Sequence, residues 1–163
     1  MRKKKIYLDT STVSYLRQED APTQMAETLE FWDILKMGRY DVFISTATLN
    51  ELTKCAEPKR SELLELLSEI SYTLIEAEGN DEIIALAGEI QKLNILPAKS
   101  LFDRLHIASA VFAGCNAIIS WNFRHMVNVK TIDGVRVVCV MNNLPPVDIY
   151  SPTMLLERSD NYG

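Results

Sequence analysis

Short apolar runs alternate with longer stretches of helical spacing along this chain. Ile6, Tyr7 and Leu8 make a compact first run, read as a strand over residues 5–8. Residues 23–37 then carry Met25, Leu29, Phe31, Trp32 and Leu35 close to the spacing of one helix face. Residues 42–45 read as a second strand, followed by a helix over about 47–55. Pro58 stands at a helix start, ahead of Leu63, Leu64, Leu66, Leu67 and Ile70. A third strand is expected over 72–75. Asp81 can cap a helix running through Ile83, Ile84, Leu86, Ala87 and Ile90. After Pro97, a helix is expected over 101–113, stopped near Gly114. Residues 117–121 read as a fourth strand, and the run of valines over 135–140 as a fifth. Strands separated by helices predict an α/β fold with a five-stranded, mainly parallel sheet covered on both faces.

No repeat, low-complexity tract or linker divides the pattern. With 163 residues, one domain over 1–150 is expected, with 151–163 as a partly ordered tail that frays at its end. Hydrophobic residues make up 47% and charged residues 24%, the ordinary range for a globular chain, so disorder and fibrous classes are excluded. No apolar run approaches the ~18 residues of a membrane span. Arg2-Lys3-Lys4-Lys5 imitates the start of a signal peptide, but the segment after it is too short and too polar, so a solvated edge is expected. Cys55, Cys115 and Cys139 form neither a C-x-x-C pair nor a zinc spacing, which suggests buried free thiols in a reducing cytoplasm. His106 and His125 lack the local signature of a Cys–His hydrolase. The net charge of −5 argues against a generic nucleic-acid coat, although an enzyme that grips phosphate through metal ions stays open.

The candidate chemistry lies in four scattered polar residues. Asp9 follows the first strand, Glu51 lies just past the second, Asp103 opens a helix and Asn122 ends the fourth strand. In open α/β sheets, ligands bind beyond the carboxyl ends of the strands, so residues distant in sequence can converge there. Each has a plainer reading. Asp and Asn cap helices, Asp103 suits a first helical turn, and Glu51 suits a solvated helix face. Asp9 is the hardest to explain away, because Asp is disfavoured beside a buried strand. Two carboxylates ~4 Å apart repel by roughly 4 kcal/mol at an effective dielectric of ~20. Three converging carboxylates therefore need a proton or a cation, and as hard oxygen donors they suit Mg²⁺ or Mn²⁺.

The segments around these residues resemble those of PIN-domain ribonucleases. Ile6-Tyr7-Leu8-Asp9-Thr10-Ser11 looks like their opening strand, and Ser45-Thr46-Ala47-Thr48-Leu49-Asn50-Glu51-Leu52 like the segment with their second acid. Asp103-Arg104-Leu105-His106-Ile107-Ala108-Ser109-Ala110 is similar to their D-x-L-H-x-A-x-A helix. Ile118-Ile119-Ser120-Trp121-Asn122-Phe123-Arg124-His125 resembles the strand that ends in their fourth site residue. The likeness runs from about residue 5 to 140, and the VapC-type toxins of type II toxin–antitoxin pairs look most similar. It implies a three-layer α/β/α sandwich and a cytoplasmic, metal-dependent endoribonuclease. It also implies an RNA substrate, a cognate antitoxin and a homodimer. Carried over by position, Asp9, Glu51 and Asp103 become the acidic metal ligands, with Asn122 in fourth place and Thr10 and Ser11 as orienting hydroxyls. Two positions depart from the pattern. Asn122 stands where many relatives have Asp, and Phe102 where a further acid is common.

The expected chemistry is hydrolysis of RNA phosphodiester bonds assisted by one or two ions. The rival is a catalytically weakened PIN-fold module that binds RNA or protein, favoured by Asn122 and Phe102. A phosphotransfer domain is less well supported. Asp9-Thr10-Ser11 lacks the second Asp of haloacid-type phosphatases, and neither the paired acid nor the late lysine of a receiver is clear. Arg124, His125 and Lys130 follow the fourth motif and can meet phosphates or simply line a solvated loop. His106, one turn after Asp103, can touch the site but reads more simply as a packed, hydrogen-bonded helix residue, and Trp121 reads as core rather than a base-stacking surface. The face formed by Met25, Phe31 and Trp32 fits core, a dimer contact or an antitoxin contact.

Overall fold

A computed structural model of the chain describes residues 2–156. Five strands form one sheet: β1 (Lys5–Leu8), β2 (Asp41–Ser45), β3 (Thr73–Ile75), β4 (Ala117–Ile119) and β5 (Asp148–Tyr150). Their order is β3-β2-β1-β4-β5, and every neighbouring pair is parallel. The helices are α1 (Thr10–Ser14), α2 (Pro22–Lys36), α3 (Thr46–Thr53), α4 (Lys59–Leu67), α5 (Asp81–Lys92), α6 (Leu101–Phe112) and α7 (Val129–Met141).

Alternation along the strands divides the core in two. Ile6, Leu8, Val42, Ile44, Ala117 and Ile119 pack on one face with Val13, Phe31, Trp32, Leu63 and Leu67 from α1, α2 and α4. Tyr7, Ile118 and Ile149 face the other way, against Ile83, Ile90, Ile107, Val111, Val135 and Val138 from α5, α6 and α7. The expected three-layer α/β sandwich is therefore present, and its sheet is parallel throughout. Phe31 and Trp32 are core residues, and the Trp32 indole donates to the Leu66 carbonyl at 3.0 Å. Among the described residues no helix is long and apolar enough to cross a membrane.

The fifth strand is not where the valines suggested. Residues 135–140 lie within helix α7, whose buried positions Thr131, Val135, Val138 and Cys139 follow helical spacing. Asn128 caps this helix by accepting the Thr131 N–H at 2.9 Å. β-Branched residues favour strands only weakly, and here a cap and a one-sided apolar stripe outweigh that preference. Gly134 lets α7 approach closely, since a Cβ there would fall 2.5 Å from Ile95 Cγ1. The true β5, Asp148–Tyr150, is a three-residue edge with one fully buried side chain, Ile149. The cap of α5 also differs from expectation. Asn80, not Asp81, accepts the N–H groups of Glu82 and Ile83, at 3.0 and 3.2 Å. Beyond β5, a 3-10 turn at Pro152–Leu155 packs on α2. The expected frayed end, residues 157–163, lies outside the described residues.

Candidate active site

The carboxyl ends of the strands place the four polar residues together. Asp9 ends β1 and caps α1, accepting the Thr12 N–H at 3.1 Å. Glu51 rides on α3, which begins where β2 stops. Asp103 sits in the first turn of α6, and Asn122 lies just past β4. Asp9, Glu51, Asp103 and Asn122 line one cavity of about 230 Å³, together with Thr10, Ser11, Ser14, Tyr15 and His106. A larger hollow of about 640 Å³ lies elsewhere, against Phe43, Leu74 and Phe112, and holds none of these residues.

Each acid is held by a distinct set of donors. Asp9 is 3% exposed and accepts hydroxyl hydrogen bonds from Ser11 at 2.6 Å and Ser120 at 2.5 Å. Burial raises its pKa above the ordinary carboxylate value, against the opposing charge of His106 and these hydroxyl bonds. Glu51 accepts from the Thr10 hydroxyl at 2.5 Å and lies 2.7 Å from His106 Nε2, both on Oε1. Burial alone would lift Glu51, but the His106 hydrogen bond and charge, with Thr10 and Lys54, leave its pKa lowered. Asp103 Oδ2 lies 3.0 Å from His125 Nδ1. Asn122 does what an isolated Asn past a strand would do: its Oδ1 accepts the His125 N–H at 2.9 Å and ties a turn.

His106 is packed, as its sequence suggested, and it also faces the cavity. Its Nδ1 lies 2.6 Å from the Tyr7 hydroxyl, which lies 2.7 Å from Ser45 Oγ. Burial disfavours the charged imidazole, yet the Tyr7 oxygen, the Glu51 hydrogen bond and the charges of Asp9 and Glu51 push its pKa up to about 10. A row of polar groups thus runs from Ser45 through Tyr7 and His106 to Glu51 and Thr10.

Several sequence expectations are met differently. Thr10 and Ser11 line the cavity, and their hydroxyls donate to Glu51 and Asp9 respectively. His125 faces Asp103 rather than open solvent, while Arg124 and Lys130 are exposed and have no side-chain partner among the described residues. Trp121 is core, donating to Thr28 Oγ1 at 2.8 Å. Sequence reasoning passed over Ser120 and Tyr7. The signal for Ser120 was a hydroxyl closing an otherwise apolar strand, next to a candidate site residue.

The family model of the PIN domain matches residues 6–126. The chain belongs to the PIN domain family. This PIN domain is similar in fold to a chain in the structure of VapBC2 from Rickettsia felis bound to a DNA fragment from their promoter. The TM-score is 0.58 and the identity 13%, covering 90% of this chain and 98% of the other. It is also similar to a chain in the structure of FitAB bound to an IR36 DNA fragment. There the TM-score is 0.57 and the identity 15%, covering 94% and 99%. No curated protein matches this PIN domain at a significant level.

The donor chemistry of the cavity suits a hard divalent cation. Among the described residues no group of three or more His, Cys, Asp or Glu side chains stands close enough together to hold a metal ion. The acids line one cavity, where Glu51 Oε2 and Asp103 Oδ1 accept no hydrogen bond from the described residues. Positive charge in the cavity would also oppose the desolvation that raises Asp9.

Proposed function

We propose that this PIN domain is an endoribonuclease that uses Mg²⁺ or Mn²⁺ to hydrolyse RNA phosphodiester bonds. We further propose that it is the toxin of a type II toxin–antitoxin pair, acting in the cytoplasm as a homodimer and silenced by a cognate antitoxin. The observation that carries the reading is the meeting of Asp9, Glu51 and Asp103 in one cavity of a PIN domain. The likeness in fold to VapBC2 and FitAB supports the toxin part.

Asp9, Glu51 and Asp103 would hold the ion through carboxylate oxygens, with Asn122 in fourth place. When bound, the ion supplies positive charge that acidifies water and offsets charge on the scissile phosphate. The protein's share is positioning. Ser11, Ser120 and Thr12 fix Asp9, while His106 and Thr10 hold one oxygen of Glu51 and the other accepts no hydrogen bond from the described residues. His125 does the same for Asp103.

The second reading, a weakened RNA- or protein-binding module, draws on Asn122, whose amide oxygen is engaged by the His125 N–H. Melting curves with Mn²⁺, followed by incubation with an RNA pool, separate the two. A rise in melting temperature for wild type but not Asp9→Asn, with cleavage, supports the nuclease. The same rise without cleavage supports the module, and no rise with no cleavage rejects the metal site. The toxin role is tested by induction in a bacterial host. Growth should slow and recover on co-expression of the product of an adjacent small gene, whereas unaffected growth with active protein rejects it.

A further inference from the structure

We propose that Phe123 is a stacking site for one base of a single-stranded RNA substrate, at the outer end of an aromatic series that begins at the cavity. This rests on the nuclease reading above. Tyr15 lines the cavity, and its ring stacks on Trp121 with centroids 5.8 Å apart at 28°. Trp121 lies 6.2 Å from Phe123, tilted by 57°. Trp121 is only 7% exposed and is anchored at both ends, by Thr28 through the indole and by Ser11 Oγ through its backbone N–H at 2.9 Å. Phe123 is 53% exposed, so the series ends with a ring open to solvent on a fixed support.

The backbone beneath it is well tied. The Asn122 carbonyl accepts the N–H groups of Met126 and Val127, both at 2.9 Å, and the Asn128 side chain bonds the carbonyls of Phe123 and Arg124. Phe123 directly follows Asn122, a cavity residue, so a base on this ring lies one residue along the chain from the proposed scission site. Arg124 comes next in the chain, exposed and without a side-chain partner among the described residues, and is available to a backbone phosphate. Phe123 lies between Asn122 and Arg124 in the chain, and the Asn128 amide bonds its carbonyl, so polar groups accompany the exposed ring. It matches a nucleobase, whose π-face stacks on aromatic rings whatever the sequence. Stacking needs an unpaired base, so the site selects single strands.

The test is fluorescence anisotropy of a labelled single-stranded oligoribonucleotide, titrated with the full chain on ice with Ca²⁺ replacing Mg²⁺, so that binding is read before turnover. Phe123→Ala should weaken binding by about 5- to 150-fold, the effect of losing one base–aromatic stack. Phe123→Trp should keep it, Phe123→Leu should resemble Phe123→Ala, and affinity for a duplex of the same sequence should not change. The proposal is overturned if Phe123→Ala binds as tightly as wild type, if Leu restores full affinity, or if duplex binding falls equally. Loss of self-association or partner-chain binding in Phe123→Ala, with RNA binding intact, would assign the ring to protein contact and also overturn it. Wild type that binds no RNA would sink both this site and the nuclease reading, whereas binding that ignores Phe123 would sink only the site.

Discussion

Replacing His106 with Gln should destabilise the fold by an amount that depends on pH. His106 is 1% exposed, and it joins the buried Tyr7 hydroxyl to the Glu51 carboxylate at 2.6 and 2.7 Å. A hydrogen bond to a charged group contributes roughly 1.5–3 kcal/mol, and a neutral one about 1 kcal/mol. Gln can reach one partner but not both, and the Glu51 side chain, 30% exposed, regains some water. A net loss of about 2–3 kcal/mol follows. The folded-state pKa is about 10 against an ordinary 6.5, so the folded form binds the proton more tightly. The ionic contribution is thus complete below 6.5 and fades as pH rises through 10. Urea unfolding in the presence of a chelator, from about pH 6 to about pH 9.5, should show the gap between wild type and His106→Gln largest at the acid end and narrowing steadily. A gap below about 0.5 kcal/mol, the scatter of ordinary surface changes, would refute the pairing. So would a large gap that stays flat across that range.

Two further substitutions test the packing around the site. Gly134→Ala adds a Cβ within 2.9 Å of three Ile95 side-chain atoms; overpacking of about 1–3 kcal/mol should exceed the ~1 kcal/mol gained in helix propensity. The cost, read by urea unfolding, should shrink when Ile95→Ala is added, and simple additivity would contradict the clash. Ser120→Ala removes the 2.5 Å bond to Asp9 and should cost about 1.5–3 kcal/mol near neutral pH by the same assay, with no loss contradicting a structural role for that hydroxyl.

The layered fold was legible because its strands are short apolar runs and most helices carry one-sided stripes. The valine run was not, since V-R-V-V-C-V fits both periods and only the Asn128 cap and the packing of Val135 and Val138 decide it. β5 escaped notice because three residues after two prolines give no period at all. That Asp9, Glu51 and Asp103 could converge was suggested by two strand ends and a helix start and implied by the resemblance to PIN-domain ribonucleases; all three line one cavity. What held each acid did not follow. Glu51 and His106 are 55 residues apart, and Asp9 and Ser120 are 111 apart, distances over which a single sequence carries no pairing signal. Asn122 lines the cavity and its amide oxygen also accepts the His125 N–H.

We propose that the three carboxylates lining the cavity at the sheet's carboxyl edge make a metal-dependent ribonuclease. The most direct test is cleavage of an RNA pool by wild type, Asp9→Asn and Asp103→Asn at matched Mg²⁺ or Mn²⁺, with folding verified by circular dichroism. Ion-dependent cleavage by wild type, lost in both folded variants, is the expected outcome. Full ion-dependent cleavage by both variants would contradict it.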